Sequence, residues 1–126
     1  MKRLTTIFFM FLTLQIAFAQ EPESLIKQKI VDKSEVVIEK IGNRGLLSKT
    51  GNVYFVEDDL QTITAYGNQK KIWQINILKI LGKPEVGKPF IRYLILSDTN
   101  LTVIYGKHSF AKLSLIDGSI ISFGSD

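Results

Sequence analysis

Between residues 35 and 123 a turn-forming cluster interrupts every short apolar run, and this spacing constrains the fold more than any other feature. Eight runs, residues 35–41, 53–57, 60–66, 71–79, 91–97, 101–105, 110–116 and 119–123, are each five to nine residues long. Between them stand Gly42-Asn43-Arg44-Gly45, Thr50-Gly51-Asn52, Asp58-Asp59, Gly67-Asn68-Gln69-Lys70, Asp98-Thr99-Asn100 and Asp117-Gly118. Strands average about five or six residues and helices about eleven, so the pattern predicts an all-β chain of about eight short antiparallel strands.

Alternation assigns the faces. Trp73, Ile75 and Ile77 share one side of their run and Gln74 and Asn76 the other, as a half-solvated strand requires. Residues 91–96 are apolar on both sides, which predicts an interior strand. Asp117-Gly118 predicts a two-residue type I′ hairpin loop, because that turn needs positive φ at both positions. Residues 82–89 carry two prolines and two glycines and are expected to be the loop joining two meanders. The meanders are expected to lie face to face, as a small sandwich or a two-blade-like arrangement. In residues 23–32, Leu25, Ile26 and Ile30 suit one face of a short helix after Ser24, with a first strand as the alternative.

The first 19 residues read as a signal peptide. Lys2 and Arg3 form the positive region, residues 4–16 are mostly apolar, and Ala17-Phe18-Ala19 places the cut before Gln20. A spanning helix needs about 20 apolar residues, and Thr5, Thr6, Thr13 and Gln15 dilute this shorter stretch, so no stable membrane insertion is expected after removal. Losing 19 of 126 residues leaves 107: a lead-in over 20–33 and a single β domain over 34–126. The net charge falls from +4 to +2 with Lys2 and Arg3, and neither that balance nor any motif fits a nucleic-acid binder. The Lys-, Ile- and Asn-rich chain, with Gln after an Ala-x-Ala site, resembles exported proteins of Gram-negative bacteria of the Bacteroides and Flavobacterium type. That resemblance implies the periplasm or secretion.

The two halves echo each other at a period near 40. Asp59 and Asp98 are 39 apart, as are Tyr66-Gly67 and Tyr105-Gly106, while Trp73 and Ile75 lie 40 before Leu113 and Leu115. Residues 53–59 followed by 64–73 give an apolar strand, an acidic turn, a second strand running through Ala65 to Gly67, and Trp73 opening the next. This resembles a blade of the quinoprotein-type β-propellers over about one and a half blades, with Leu113 where the second Trp would stand. A propeller closes with about four or more blades, and roughly 40 residues per blade lets this chain supply two at most. No quinone- or calcium-binding set is matched, so none is carried over. A plain meander with Gly-bearing turns at regular spacing gives the same echo.

With no Cys and a single His, disulfides, thiolate nucleophiles and multi-histidine metal sites are excluded. Glu57-Asp58-Asp59 lacks the alternating ligands of a calcium loop and reads as an acidic turn; no metal or cofactor is expected. His108 and Ser109 are adjacent and point apart, which disfavours a nucleophile–base pair. Tyr105, Lys107, His108 and Lys112 are the candidate binding residues, placed near one end of the sheet where they would hold an anion. Trp73 with Tyr54, Tyr66, Tyr93 and Tyr105 would make either an aromatic platform or core cover. The chain is therefore expected to be a non-catalytic exported module that binds an envelope protein, peptide or glycan. The alternatives are a structural or inhibitory partner acting by sheet-edge pairing, and a small hydrolase-like enzyme using His108.

Overall fold

The structure is a computed structural model that describes residues 29–39 and 42–126. The expected signal peptide and most of the expected lead-in, including residues 23–28 of the expected helix, lie outside the described residues. Ten strands and one short helix follow in order: β1 (Ile30–Val31), β2 (Glu35–Val37), β3 (Gly45–Leu47), β4 (Val53–Val56), β5 (Thr62–Gly67), β6 (Lys70–Asn76), α1 (Ile77–Leu81), β7 (Ile91–Leu96), β8 (Asn100–Tyr105), β9 (Ser109–Ser114) and β10 (Ile120–Ser125). They form two five-stranded sheets, β1-β3-β4-β5-β6 and β10-β9-β8-β7-β2. Every pairing is antiparallel except β1 with β3. The all-β, sandwich-like expectation holds, with one core between the sheets. The first sheet contributes Leu46, Tyr54, Val56, Ile63, Ala65 and Trp73; the second contributes Val36, Leu94, Leu101, Val103, Ala111 and Leu113.

Four local expectations are corrected. Residues 35–81 are not one meander, because β2 crosses to the second sheet and pairs Val36 with Leu94 on β7. Alternation in Glu35-Val36-Val37 shows that Val36 is inward but not which sheet carries it, since both sheets face the same core. Residues 71–79 are not one strand. The Asn76 side chain accepts the Lys79 amide at 2.9 Å, capping α1, and Gly82 closes the helix with its N–H on the Leu78 carbonyl. The end of the 23–32 stretch is strand, with Ile30 and Val31 pairing parallel to Gly45 and Leu46.

Asp117-Gly118 is not a two-residue loop. Residues 115–118 form a longer one, with Ser114 N–H on the Ser119 carbonyl and Gly118 N–H on the Ser114 carbonyl, and only Gly118 takes positive φ, at 73°. The two-residue loop with both φ positive is instead Asn68 (51°) and Gln69 (65°), between β5 and β6.

The doubly apolar run at β7 reflects a bulge. Ile91 opposes Tyr105 and Tyr93 opposes Ile104, so Arg92 is the extra residue and both Ile91 and Leu94 reach the core. The strand is interior, between β2 and β8.

Candidate functional site

The two ends of the sandwich differ. One end gathers the β4–β5 turn, α1, the loop over 82–90 and the β8–β9 turn. The other gathers the β1–β2, β3–β4, β5–β6, β7–β8 and β9–β10 connections.

The first end holds the residues singled out by sequence, and it is built for closure. Gly106 (φ 61°) and Gly87 (φ 94°) let two backbones touch: a Cβ on Gly106 would sit 2.4 Å from the Pro84 ring, and one on Gly87 would sit 2.5 Å from the Lys107 nitrogen. The Lys107 amide donates to the Val86 carbonyl at 2.8 Å, its carbonyl accepts from Arg92 Nη2 at 3.2 Å, and the Gly106 amide donates to the Phe90 carbonyl. The Gly106 and Lys107 amides are thus committed to the loop rather than open to an anion. Lys107 and His108 are exposed at its tip, Tyr105 is buried on the inner face, and Lys112 projects from the outer face of β9 between Thr102 and Ser122. Lys107 and His108 are brought together; Tyr105 and Lys112 are placed on opposite faces of the sheet. Burial pushes the Tyr105 phenol above its usual range, against a hydrogen bond with Ser109.

The acidic turn is likewise occupied. Asp59 accepts the Gln61 and Thr62 amides at 2.8 and 2.9 Å and the Thr62 hydroxyl at 2.7 Å. Asp58 pairs with Arg44 Nη2 at 3.0 Å, while Arg44 Nε donates to the Val56 carbonyl. The Tyr66 hydroxyl donates to Glu57 at 3.1 Å. Burial first, then the Glu57 carboxylate, push the Tyr66 phenol up to about 12. Among the described residues no three His, Asp or Glu side chains form a metal-binding group.

The five aromatic residues do not share one surface. Trp73 and Tyr54 are core neighbours, with ring centroids 6.0 Å apart and planes tilted by 35°. Tyr105 faces inward as well. Tyr66 and Tyr93 lie half-buried on the outer faces of different sheets, Tyr93 raised above its usual range first by a hydrogen bond with Glu35. Trp73 spans the sandwich, its indole N–H donating to the Leu115 carbonyl of the opposite sheet's β9–β10 loop at 3.0 Å.

The other end opens into a cleft of about 500 Å³, a volume suited to a small ligand. Leu47, Leu96, Leu115 and the Tyr54 ring supply apolar lining. Asp32, Lys33, Lys49 and Asp98 supply charge, and Ser34, Ser48, Thr50 and Ser97 supply hydroxyls. Its walls are fixed through backbone: Leu96 N–H donates to the Ser34 carbonyl at 2.7 Å, and Ser48 N–H to the Asn52 carbonyl at 2.8 Å. Burial raises the Tyr54 phenol, opposed by a hydrogen bond with Asn52, so it stays neutral at physiological pH. Sequence reasoning missed this cleft. Its polar residues stand in three turns far apart in the chain, and only the crossing of β2 brings Asp32-Lys33-Ser34 beside Ser97-Asp98.

Compared with family models, curated proteins and solved structures, the chain finds no match. Among the described residues no helix is long and apolar enough to cross a membrane.

Proposed function

We propose that this chain is an exported, non-catalytic binding module of the bacterial envelope, and that it takes a short peptide or glycan segment in the cleft between the β1–β2, β3–β4 and β7–β8 turns. The observation that carries this is the lining: apolar side chains together with charges of both signs and the Ser34 hydroxyl, in a space of about 500 Å³, while the Ser48 and Thr50 hydroxyls bond each other and the Ser97 hydroxyl bonds the Asn100 carbonyl. Such a surface grips a ligand with an apolar face and polar edges, and its mixed charge selects orientation rather than net charge. Two carboxylates of the acidic turn are engaged in holding structure: Asp59 accepts the Thr62 amide and Glu57 the Tyr66 hydroxyl.

The test is a nuclear magnetic resonance titration with fractionated envelope peptides and glycans. Amides of Leu47, Lys49, Ser97 and Asp98 are expected to shift together with a binding fraction. Leu47→Asp, which places a charge in the apolar lining, is expected to abolish the shifts while the remaining spectrum stays folded. Shifts confined to Lys107 and His108, or binding unchanged by Leu47→Asp, would move the site to the other end of the sandwich.

A further inference from the structure

An edge strand offers unpaired backbone donors and acceptors, and proteins ordinarily blunt it with lysines, proline or short length. Three of the four sheet edges here are blunted. β1 and β2 are two and three residues long, and β6 opens on Lys70-Lys71 and ends where Asn76 turns the chain into α1. The fourth, β10, is six residues, Ile-Ile-Ser-Phe-Gly-Ser, without a charge or a proline.

Among the described residues the outer edge of β10 is unpaired, and the direction of its hydrogen-bonding groups follows from register. Asp126 N–H donates to the His108 carbonyl at 3.1 Å, and Gly124 opposes Phe110 and Ser122 opposes Lys112 in the same ladder. In an antiparallel pair the backbone groups alternate sides, so those of Ser122, Gly124 and Asp126 face β9. Those of Phe123 and Ser125 face outward. The Phe123 side chain lies on the face of Ala111, toward the core side, yet it is 64% exposed, and Ile121 is 59% exposed.

We propose that β10 pairs with β10 of a second copy of this chain, antiparallel about a twofold axis at Phe123, joining two five-stranded sheets into one. Charge selects this occupant. A strand with no ionised side chain meets itself without repulsion, whereas the Lys-bearing β6 edge would not. Symmetry agrees with it. The axis sets Phe123 opposite its own copy, so that each ring covers the other, and the outward N–H and C=O of Phe123 are exchanged between the chains.

The test uses protein expressed from the 126-residue sequence and purified from the fraction where it accumulates. Sedimentation velocity is expected to show a concentration-dependent dimer. Phe123→Lys places two ammoniums together and is expected to weaken it at least tenfold, as is Phe123→Glu. Mixing those two variants is expected to restore a dimer, which loss of folding could not do. The chain has no Cys. Residues facing each other in a hydrogen-bonded antiparallel pair have Cα atoms about 5.5 Å apart, within disulfide reach. Phe123→Cys is therefore expected to cross-link far faster than Ser122→Cys. A monomer at all concentrations would overturn the proposal. So would a dimer that persists in Phe123→Lys or shows no preference for the bridge at position 123.

Discussion

Gly118 and Trp73 meet across the two sheets, and the coupling can be measured. A Cβ built on Gly118 would lie 2.4 Å from Trp73 Cε3 and 2.7 Å from Cδ2, and Gly118 also sits at φ 73°. Gly118→Ala therefore carries two penalties. The left-handed backbone costs about 1–2 kcal/mol for a residue with a side chain. The overlap forces the indole or the loop aside, straining the Leu115 hydrogen bond, at about 1–3 kcal/mol for an overpacked site. The total, about 2–5 kcal/mol, is a large part of the stability expected for a small domain. In a Trp73→Leu background the ring is absent, and only the backbone penalty remains. The assay is urea unfolding followed by circular dichroism for the wild type, both single variants and the double variant. A coupling of about 1–3 kcal/mol is expected from the cycle. If Gly118→Ala costs the same in both backgrounds, to within about 0.5 kcal/mol, the ring does not rest on Gly118 and the attachment of the β9–β10 loop has been misjudged.

Other perturbations follow from single residues. Gln69→Gly removes a side chain held at φ 65° in the type I′ turn and is expected to stabilise the domain by about 0.5–1 kcal/mol after allowing for the freer unfolded chain, read as a higher urea midpoint. Arg44→Ala is expected to cost about 1.5–3 kcal/mol, because a buried guanidinium that donates to the Val56 carbonyl is lost, whereas Asp58→Ala, at a side chain 97% exposed, is expected to cost much less. A reversed order in thermal unfolding would show that the exposed carboxylate, not the buried donor, holds the β3–β4 edge. Burial pushes Asp59 upward, but the Thr62 hydroxyl, the Gln61 and Thr62 amides and the Arg44 charge outweigh it and hold the carboxyl below its usual value. A folded-state pKa lowered in this way gives stability that is present above the unfolded value near 4 and lost as pH falls through the folded one, so Asp59→Asn is expected to flatten the acid limb of the stability curve below about pH 4. An unchanged acid limb would show that the carboxylate holds no turn.

What could be read from the sequence was whatever is decided within a few residues. The period-2 runs set most strands, so Trp73 and Leu113 are buried as the alternation requires, whereas Ile77 is buried from α1 and Leu94 beyond the β7 bulge. The short β3 escaped because its first residue, Gly45, reads as turn, although it is a Gly for packing: a Cβ there would meet the Tyr54 carbonyl at 2.8 Å. The choice of sheet for β2 escaped because the inner faces of a sandwich look at one core, and inward-pointing Val36 satisfies either.

The turns show the same limit from the other direction. Asp-Gly is the better type I′ dipeptide, yet Asn68-Gln69 takes that turn and Asp117-Gly118 does not. At Asn68-Gln69 the direct pairing of Gly67 with Lys70 leaves only two residues for the loop, and Gln69 accepts the left-handed conformation. At Asp117-Gly118 the chain must instead run out far enough for the Leu115 carbonyl to receive the Trp73 indole, 42 residues earlier. The glycine that looked like a hairpin signal is required because a ring from the opposite sheet leaves no room for a side chain. The cleft inherits that arrangement, since Leu115, which anchors Trp73 through its backbone, is also part of the cleft's apolar lining. One contact that no local pattern encodes thus takes part both in the packing between the sheets and in the lining of the proposed site.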